Sequence, residues 1–204
     1  MLKVATAECF THGLIAREIH ALSQGYDGKF GCSYLRSDDA YLLGNGCETS
    51  EITHKCDLSK SNICIPDISV ICGVFVPTVS GLKNILKIDA PTPMQTIKGV
   101  KVYDENYDKK VATMMSHAIK DVTEADIGIG TTAGIGRGGI AISTTEFTLI
   151  TTSGYYADLT SQCSSQLLKR QTKGVEKALD IFMGILNDDL GRIMEKYDVQ
   201  LQMN

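Results

Sequence analysis

The chain has 204 residues, of which 43% are hydrophobic and 22% are charged, and its formal net charge at pH 7 is -4. This composition is typical of a soluble protein with one well-buried core. The slightly negative net charge excludes general electrostatic attraction to nucleic acid or to an anionic membrane. No apolar run reaches about 18 residues and no secretory signal pattern is present, so we expect one cytoplasmic domain over residues 1–204 without a membrane or nucleic-acid partner.

The seven cysteines predict reduced thiols rather than a disulfide framework, because the chain has no secretory pattern. Cys47, Cys56 and Cys64 surround His54 in sequence, but their spacings are not those of structural zinc sites. We therefore predict no metal site and leave this cluster as the one open alternative.

The first elements of the chain are predicted from its apolar spacing. The run 2–7 predicts a strand, and apolar residues at helical spacing predict a helix over 11–23. Shorter strand-like pieces follow at 32–35 and 41–43, and residues 47–67 have the weak patterning of a loop-rich excursion.

Strand-like and helix-like segments alternate in the rest of the chain. The continuous β-branched run 68–76 predicts a strand buried on both faces, whereas 78–103 predicts only short strands or turns. The apolar pattern then predicts a helix over 104–122 and strands over 125–130 and 140–152. It also predicts a long helical region over 166–196, broken near 187–191. This alternation predicts an α/β fold in which a mixed sheet is layered with helices.

The stretch Val4–Gly13 carries the most chemical information, because a lone thiol, Cys9, lies where a strand passes into a helix. Free N–H groups and the positive end of a helix favour a thiolate and can hold an oxyanion, so we expect a nucleophile. His12 is a candidate proton or hydrogen-bond partner, and Glu8 has a predicted structural role. A passive buried cysteine is the alternative for Cys9.

The glycine-rich segment Gly130–Gly139, with Arg137 embedded in it, is the second informative stretch. It is not a dinucleotide-binding or P-loop motif, because a strand-like run follows it and the Walker lysine is missing. We predict a nest for an oxyanion or phosphate, with Arg137 as an anion contact. Thr131 and Thr132 either end a strand or donate to the same anion, and a solvated loop tip is the alternative for Arg137.

Both stretches resemble motifs of the CinA-type nicotinamide mononucleotide deamidases. Ala5–Ala16 is similar to their Ala-Glu-Ser-Cys-Thr-Gly-Gly-Leu segment, and Gly130–Gly139 is similar to their Gly-Val-Thr-Gly-Ile-Ala-Gly-Pro-Gly-Gly loop. In this alignment Cys9 falls on the nucleophilic serine, Asp39 replaces a lysine and Arg137 replaces the loop proline. The resemblance implies a fold like the CinA C-terminal domain and a homodimer.

The fuller pattern, over essentially the whole chain, resembles the HcgF family, which matures the iron-guanylylpyridinol (FeGP) cofactor of [Fe]-hydrogenase in methanogenesis. The resemblance implies that a partner enzyme adenylylates the carboxylate of guanylylpyridinol and that Cys9 displaces AMP. The product is a protein-bound pyridinol thioester, the precursor of the acyl-iron ligand. No metal or cofactor beyond this AMP adduct is implied.

We therefore predict an acyl-transferase-like enzyme with Cys9 and His12 as its catalytic residues. Further residues are predicted to bind the substrate: Phe10, Thr11, Thr131, Thr132, Gly134, Gly136, Arg137 and Gly138. Two alternatives stay open. One is a CinA-like pyridine-nucleotide amidohydrolase with Cys9 as nucleophile, and the other is a non-catalytic guanylylpyridinol carrier in which Cys9 is passive.

Overall fold

A computed structural model of the chain describes residues 1–24, 67–161 and 163–204. The predicted strand-like pieces at 32–35 and 41–43, and the 47–67 excursion except for its last residue, lie outside this part. The cysteine and histidine cluster within that excursion lies outside it as well.

Helices and strands alternate along the described residues. In chain order they are β1 (Leu2–Glu8), α1 (Leu14–Ser23), β2 (Ile68–Phe75), α2 (Val79–Ile85), β3 (Gln95–Ile97), β4 (Val100–Val102), α3 (Glu105–Thr123), β5 (Ile127–Thr132), β6 (Ile135–Gly136), β7 (Gly139–Ser143), β8 (Phe147–Thr151), β9 (Ala157–Asp158), α4 (Ser164–Leu186), α5 (Leu190–Lys196) and β10 (Gln200–Met203).

Six of these strands form one mixed sheet in the order β10-β8-β7-β5-β1-β2. Strand β1 runs parallel to β2 and β5, and its Thr6 pairs with Gly73 on one side and Ile129 on the other. Strands β5, β7, β8 and β10 are joined in antiparallel pairs. The predicted α/β fold with a mixed sheet is confirmed.

The sheet is covered by helices on both faces. Val4 of β1 packs into a core with α1 and α4, whereas Ala5 and Ala7 pack into a second core with α2 and α3. Both cores use the two-residue alternation of a strand, so β1 is buried on both sides. Among the residues that the structure describes, none of the helices has both the length and the apolar composition needed to cross a membrane.

The bounds of α3, and the division of the last helical region into α4 and α5, follow the sequence prediction closely. Helix α1 differs, because it begins at Leu14 rather than at Thr11. Gly13 before it has the left-handed φ of 80°, and His12 has φ 54°. The chain therefore turns once between β1 and the helix.

The prediction of one continuous strand over 140–152 is wrong, because these residues form two strands, β7 and β8, joined as a hairpin. The Thr144 hydroxyl turns the chain there by accepting hydrogen bonds from the amides of Glu146 and Phe147. The predicted strand 125–130 instead runs to Thr132 as β5, so Thr131 and Thr132 are strand residues.

Two predictions around β2 are wrong. Among the described residues, no strand other than β1 pairs with β2 in the sheet, and Ile71 and Phe75 are 40% and 52% exposed, so β2 is not buried on both faces. Residues 79–85, predicted as strands or turns, form helix α2, whose first turn is capped by the Thr78 hydroxyl through the amide of Gly81.

Candidate functional site

The carboxyl ends of the three parallel strands meet at one apolar pocket. Phe75 ends β2, Cys9 follows β1 and Ala133 follows β5, and all three line the pocket. Ligands of α/β proteins bind at this edge of the sheet. The other lining residues are mostly apolar: Phe10, His12, Pro77, Val100, Leu159, Leu167, Leu168, Arg170 and Gln171.

The pocket has a volume of about 170 Å³. Pockets that enclose a whole drug-sized ligand begin near about 300 Å³. The size and the apolar walls therefore suit one aromatic ring with its substituents, and a nucleotide attached to such a ring would extend beyond the pocket.

The positive end of helix α1 is occupied by Glu8 rather than by the thiol. The amides of Ile15 and Ala16 donate to the buried Glu8 carboxylate at 3.2 and 2.9 Å. Because α1 begins five residues after Cys9, the predicted activation of this thiol by the helix N-terminus is wrong. The structural role expected for Glu8 is confirmed.

A chain of buried hydroxyl groups fixes the backbone at Cys9. The Cys9 amide donates to Thr131 Oγ1 at 3.3 Å, and the Thr11 hydroxyl donates to Glu8 at 2.7 Å. Thr131 Oγ1 lies 2.8 Å from Thr11 Oγ1, and it donates there, because the Thr11 proton already goes to the carboxylate. The Cys9 amide therefore has an acceptor inside the protein.

Lys101 is a buried cation beside the thiol that no sequence motif indicated. Its side chain is fully buried, and Nζ donates to the carbonyl oxygen of Val76 at 2.7 Å. Burial lowers the pKa of Lys101, while charge attraction and a side-chain hydrogen bond to Cys9 raise it. The amine and the thiol therefore form an interacting pair.

Arg170 is the second cation that sequence reasoning missed. It is 2% exposed and lines the pocket, and its Nη1 donates to three carbonyl groups at 2.8 to 3.0 Å, those of Gly134, Gly136 and Ala157. Burial lowers the pKa of Arg170, and the charges of Asp108 and Cys9 raise it. A thiolate at Cys9 would therefore be attracted by two cations.

Asp108 completes this buried charged group. The amide of Gly134 donates to its Oδ2 at 2.8 Å, and its Oδ1 has no partner among the described residues. Burial raises the pKa of Asp108 to about 7, against the lowering effects of the Gly134 amide and the charges of Arg170 and Lys101.

The glycines of the 130–139 segment allow close contact with α3 and the residues just before it. A Cβ on Gly134 would lie 2.3 Å from the Tyr103 carbonyl oxygen, and one on Gly139 would lie 2.3 Å from that of Asp108. The amide of Ile135 donates to the Tyr103 carbonyl. Because amides of this segment have acceptors within the protein, an anion site there stays a prediction.

Arg137 forms an ion pair instead of facing the pocket. Its Nε and Nη2 donate to the two carboxylate oxygens of Glu105 at 2.9 and 2.5 Å, and its amide donates to the same carboxylate. The side chain is half exposed. Thr132 is buried in β5, with no partner for its hydroxyl among the described residues. Substrate contacts of these residues, and of Gly136 and Gly138, stay predictions.

Three predicted residues, Cys9, Phe10 and His12, do line the pocket. His12 Nδ1 lies 2.9 Å from Gln171 Nε2 and accepts its hydrogen bond, which leaves Nε2 to carry the proton of a neutral ring. The ring also meets Phe75 edge to face, with centroids 5.3 Å apart. His12 therefore lies beside Gln171 and Phe75 in the pocket wall.

Comparisons with known proteins agree on one family. The family model described as FeGP cofactor biosynthesis protein HcgF matches residues 1–186. A UPF0254 protein of Methanothermobacter thermautotrophicus is 40% identical over 186 residues, which cover 91% of this chain and 99% of the relative. A UPF0254 protein of Methanopyrus kandleri is 40% identical over 197 residues, covering 96% and 94%. One of Methanocorpusculum labreanum is 36% identical over 182 residues, covering 89% and 90%. The chain therefore belongs to the HcgF family of FeGP cofactor biosynthesis proteins.

Proposed function

We propose that this protein takes part in FeGP cofactor biosynthesis by accepting the pyridinol acyl group on Cys9. The substrate is guanylylpyridinol whose carboxylate a partner enzyme has joined to AMP. The Cys9 sulfur attacks the acyl carbon and forms the C–S bond. The C–O bond to the adenylate phosphate breaks, and its electron pair leaves with AMP.

The observation that carries this proposal is the place of Cys9, a pocket-lining thiol with a buried amine and a buried guanidinium as neighbours. Lys101 and Arg170 both interact with it, and both are almost fully buried. Charges in such a low-dielectric site act more strongly than in water. A thiolate, which is the form of cysteine that reacts with an acyl adenylate, would be attracted by the guanidinium and by the protonated amine.

The walls of the pocket support an aromatic acyl group. Phe10, Phe75, Val100 and Leu167 present apolar surface around the thiol, and aromatic rings gain from such contact. The pyridinol ring would lie against these side chains with its acyl carbon at Cys9, and the nucleotide parts would lie outside the pocket. The same apolar surface keeps water from the thioester.

Two kinds of group can stabilise the negative charge that develops at the acyl oxygen and the leaving phosphate. Among the described residues, no acceptor takes a hydrogen bond from the amides of Phe10 or Thr11, next to the thiol. Arg170 adds the positive charge of a buried guanidinium at the pocket wall. Backbone amides and an arginine are the donors that oxyanions and phosphates use.

Intact-protein mass spectrometry after incubation with the adenylylated pyridinol tests the proposal, with AMP release followed in parallel. The wild-type protein should gain one acyl mass and release an equal amount of AMP. Cys9→Ala should gain none, while Cys163→Ala, the control at a thiol outside the pocket, should behave as the wild type.

The same assay separates the two alternatives. Release of ammonia from nicotinamide mononucleotide by the wild type, without an acyl adduct, would identify a CinA-like amidohydrolase and contradict the proposal. Binding of guanylylpyridinol by both wild type and Cys9→Ala, without an adduct on either, would identify a carrier.

A further inference from the structure

We infer that the Lys101 amine is the base that takes the proton of the Cys9 thiol. The inference rests on the proposed function, in which Cys9 is the nucleophile. Lys101 lies on β4, more than 90 residues from Cys9 in sequence, and it is one of the largest fully buried side chains of the protein. A buried lysine needs a partner, and its position beside a thiol supplies one.

Backbone hydrogen bonds fix the amine close to Cys9. The Val76 amide donates to the carbonyl of Glu8 at 2.7 Å, and the Val76 carbonyl accepts from Lys101 Nζ at 2.7 Å. A single residue, Val76, therefore connects Nζ to the residue just before Cys9. Pro77 and Val100, the residues next to Val76 and Lys101, line the same pocket as Cys9.

The surroundings of Lys101 favour an amine that exchanges its proton readily. Burial lowers its pKa, so the neutral form is more accessible than for a surface lysine. The charged groups around it come from three elements: Cys9 after β1, Asp108 on α3, and Arg170 on α4, which faces both Cys9 and Asp108. Once the proton moves, the ammonium and the sulfur anion attract each other.

Two other bases near Cys9, Glu8 and His12, are engaged. The Glu8 carboxylate accepts hydrogen bonds from Thr6, Thr11 and the first amides of α1. His12 Nδ1 accepts from Gln171. The hydrogen bond of Lys101 to Val76 uses one donor of the amine and leaves its nitrogen lone pair, in the neutral form, for the thiol proton.

The resulting step is balanced. The neutral amine takes the proton from Cys9 Sγ, and the sulfur electron pair forms the C–S bond to the acyl carbon. AMP leaves with the electron pair of the C–O bond, and Lys101 is left as an ammonium that returns its proton to water. No oxidant or further reactant is needed.

Alkylation of Cys9 by iodoacetamide tests this role without the natural substrate. Trypsin releases the peptide Val4–Arg17, in which Cys9 is the only cysteine, so its alkylation rate is measured by mass spectrometry across a range of pH. Lys101→Met should slow the reaction at pH 7 at least about tenfold and move the pH profile to higher pH. Lys98→Met, which removes an exposed charge from the same β3–β4 hairpin, should leave both unchanged.

A second variant distinguishes loss of the base from loss of the fold. Lys101→Gln keeps a donor for the Val76 carbonyl but no base, and it should show the same slow alkylation with the wild-type melting temperature. If neither variant folds, the titration of Lys101 in ¹³C-lysine-labelled wild type is compared with that in Cys9→Ser. The inference is overturned if the pKa of Lys101 is the same in wild type and Cys9→Ser. It is also overturned if folded Lys101→Gln is alkylated at the wild-type rate.

Failure of this inference differs from failure of the proposed function. If wild type gains no acyl mass from the adenylate although Lys101 controls alkylation, the thioester proposal fails and the role of Lys101 stands. If wild type is acylated and the folded Lys101 variants are acylated and alkylated at the same rates, the role of Lys101 is refuted.

Discussion

Glu8 and Cys9 are neighbours in sequence with separate tasks. The Glu8 carboxylate accepts from the second and third amides of α1, those of Ile15 and Ala16, and the thiol beside it interacts with Lys101 and Arg170. A helix start needs an acceptor, and here a buried carboxylate from the preceding strand supplies it. The thiol is therefore not needed as a cap.

Glu8→Gln should lower the free energy of unfolding by about 1–3 kcal/mol. The donors to Glu8 bind two carboxylate oxygens in the wild type, whereas the glutamine amide has only one oxygen that can accept. Urea unfolding of the purified variant measures this loss. Glu195→Gln, at an exposed position of α5, is the control and should stay within about 0.5 kcal/mol of wild type. Equal stabilities of the two variants would remove Glu8 as the cap of α1.

Asp108 gives a pH-dependent prediction. Its pKa is about 7 in the folded protein, against 3.8 for an ordinary aspartate. The folded state therefore holds this proton more tightly, so the stabilising contribution is full below about pH 4 and is lost as pH rises to about 7. Asp108→Asn cannot ionise and should escape that loss.

Urea unfolding of wild type and Asp108→Asn at pH 5 and pH 8 measures the effect. The stability of the variant relative to wild type should rise by roughly 2.5 kcal/mol between these two pH values. A difference that is the same at both pH values would show that the buried carboxyl does not titrate in this range.

The residues of the site differ in how far sequence can indicate them. Cys9, Phe10 and His12 lie within four consecutive residues, so one local motif indicates all three. Arg170 does leave a signal in the sequence. It stands four residues before Gly174, and this spacing places both residues on one face of α4, which is buried. Lys101 leaves none, because a lysine between two valines is typical of an exposed strand position, and its contact with Cys9 depends on tertiary structure.

At the scale of elements, the glycines of β5 set how closely helix α3 packs on the sheet. A Cβ on Gly130 would lie 2.1 Å from the carbonyl oxygen of Ala112 and 2.6 Å from the amide of Ser116, both on α3. No rotamer change can relieve a clash with backbone. The sequence analysis predicts that these glycines contact a ligand, and it does not indicate that they let α3 pack closely on the sheet.

Gly130→Ala should lower the free energy of unfolding by about 3 kcal/mol or more, because α3 must move away from the sheet. Gly191→Ala is the matched control. Among the described residues, no atom outside the surrounding backbone of α5 lies within 4 Å of the added methyl group, so the substitution should be neutral or stabilise by up to about 1 kcal/mol. Thermal or urea unfolding of both variants decides, and a tolerated alanine at residue 130 would contradict the close packing.

The elements that sequence predicted best are the long periodic ones. Helices α3 and α4 extend over five turns or more, and their apolar faces repeat often enough to fix the period. Helix α2 has only 7 residues, with Gly81 inside, too few for a period to show. The partial exposure of β2 also leaves no mark in its continuous apolar run, which is why the strand was predicted as buried on both faces.

At the scale of the whole molecule, the sheet brings distant segments to one point. The ends of β1, β2 and β5 carry Cys9, Phe75 and Ala133 into the pocket, and α4 adds Arg170. The HcgF match covers residues 1–186 and so includes these positions. The likeness to CinA-type deamidases stays a prediction, as does the homodimer it implies.

The location of the acyl group tests the central proposal most directly. The protein is incubated with adenylylated guanylylpyridinol and digested with trypsin, and the peptide Val4–Arg17 is sequenced by mass spectrometry. We predict the pyridinol acyl mass on Cys9, its removal by neutral hydroxylamine and one AMP released for each acyl group bound. An acyl group on another residue, or AMP release without any adduct on this peptide, would contradict the account.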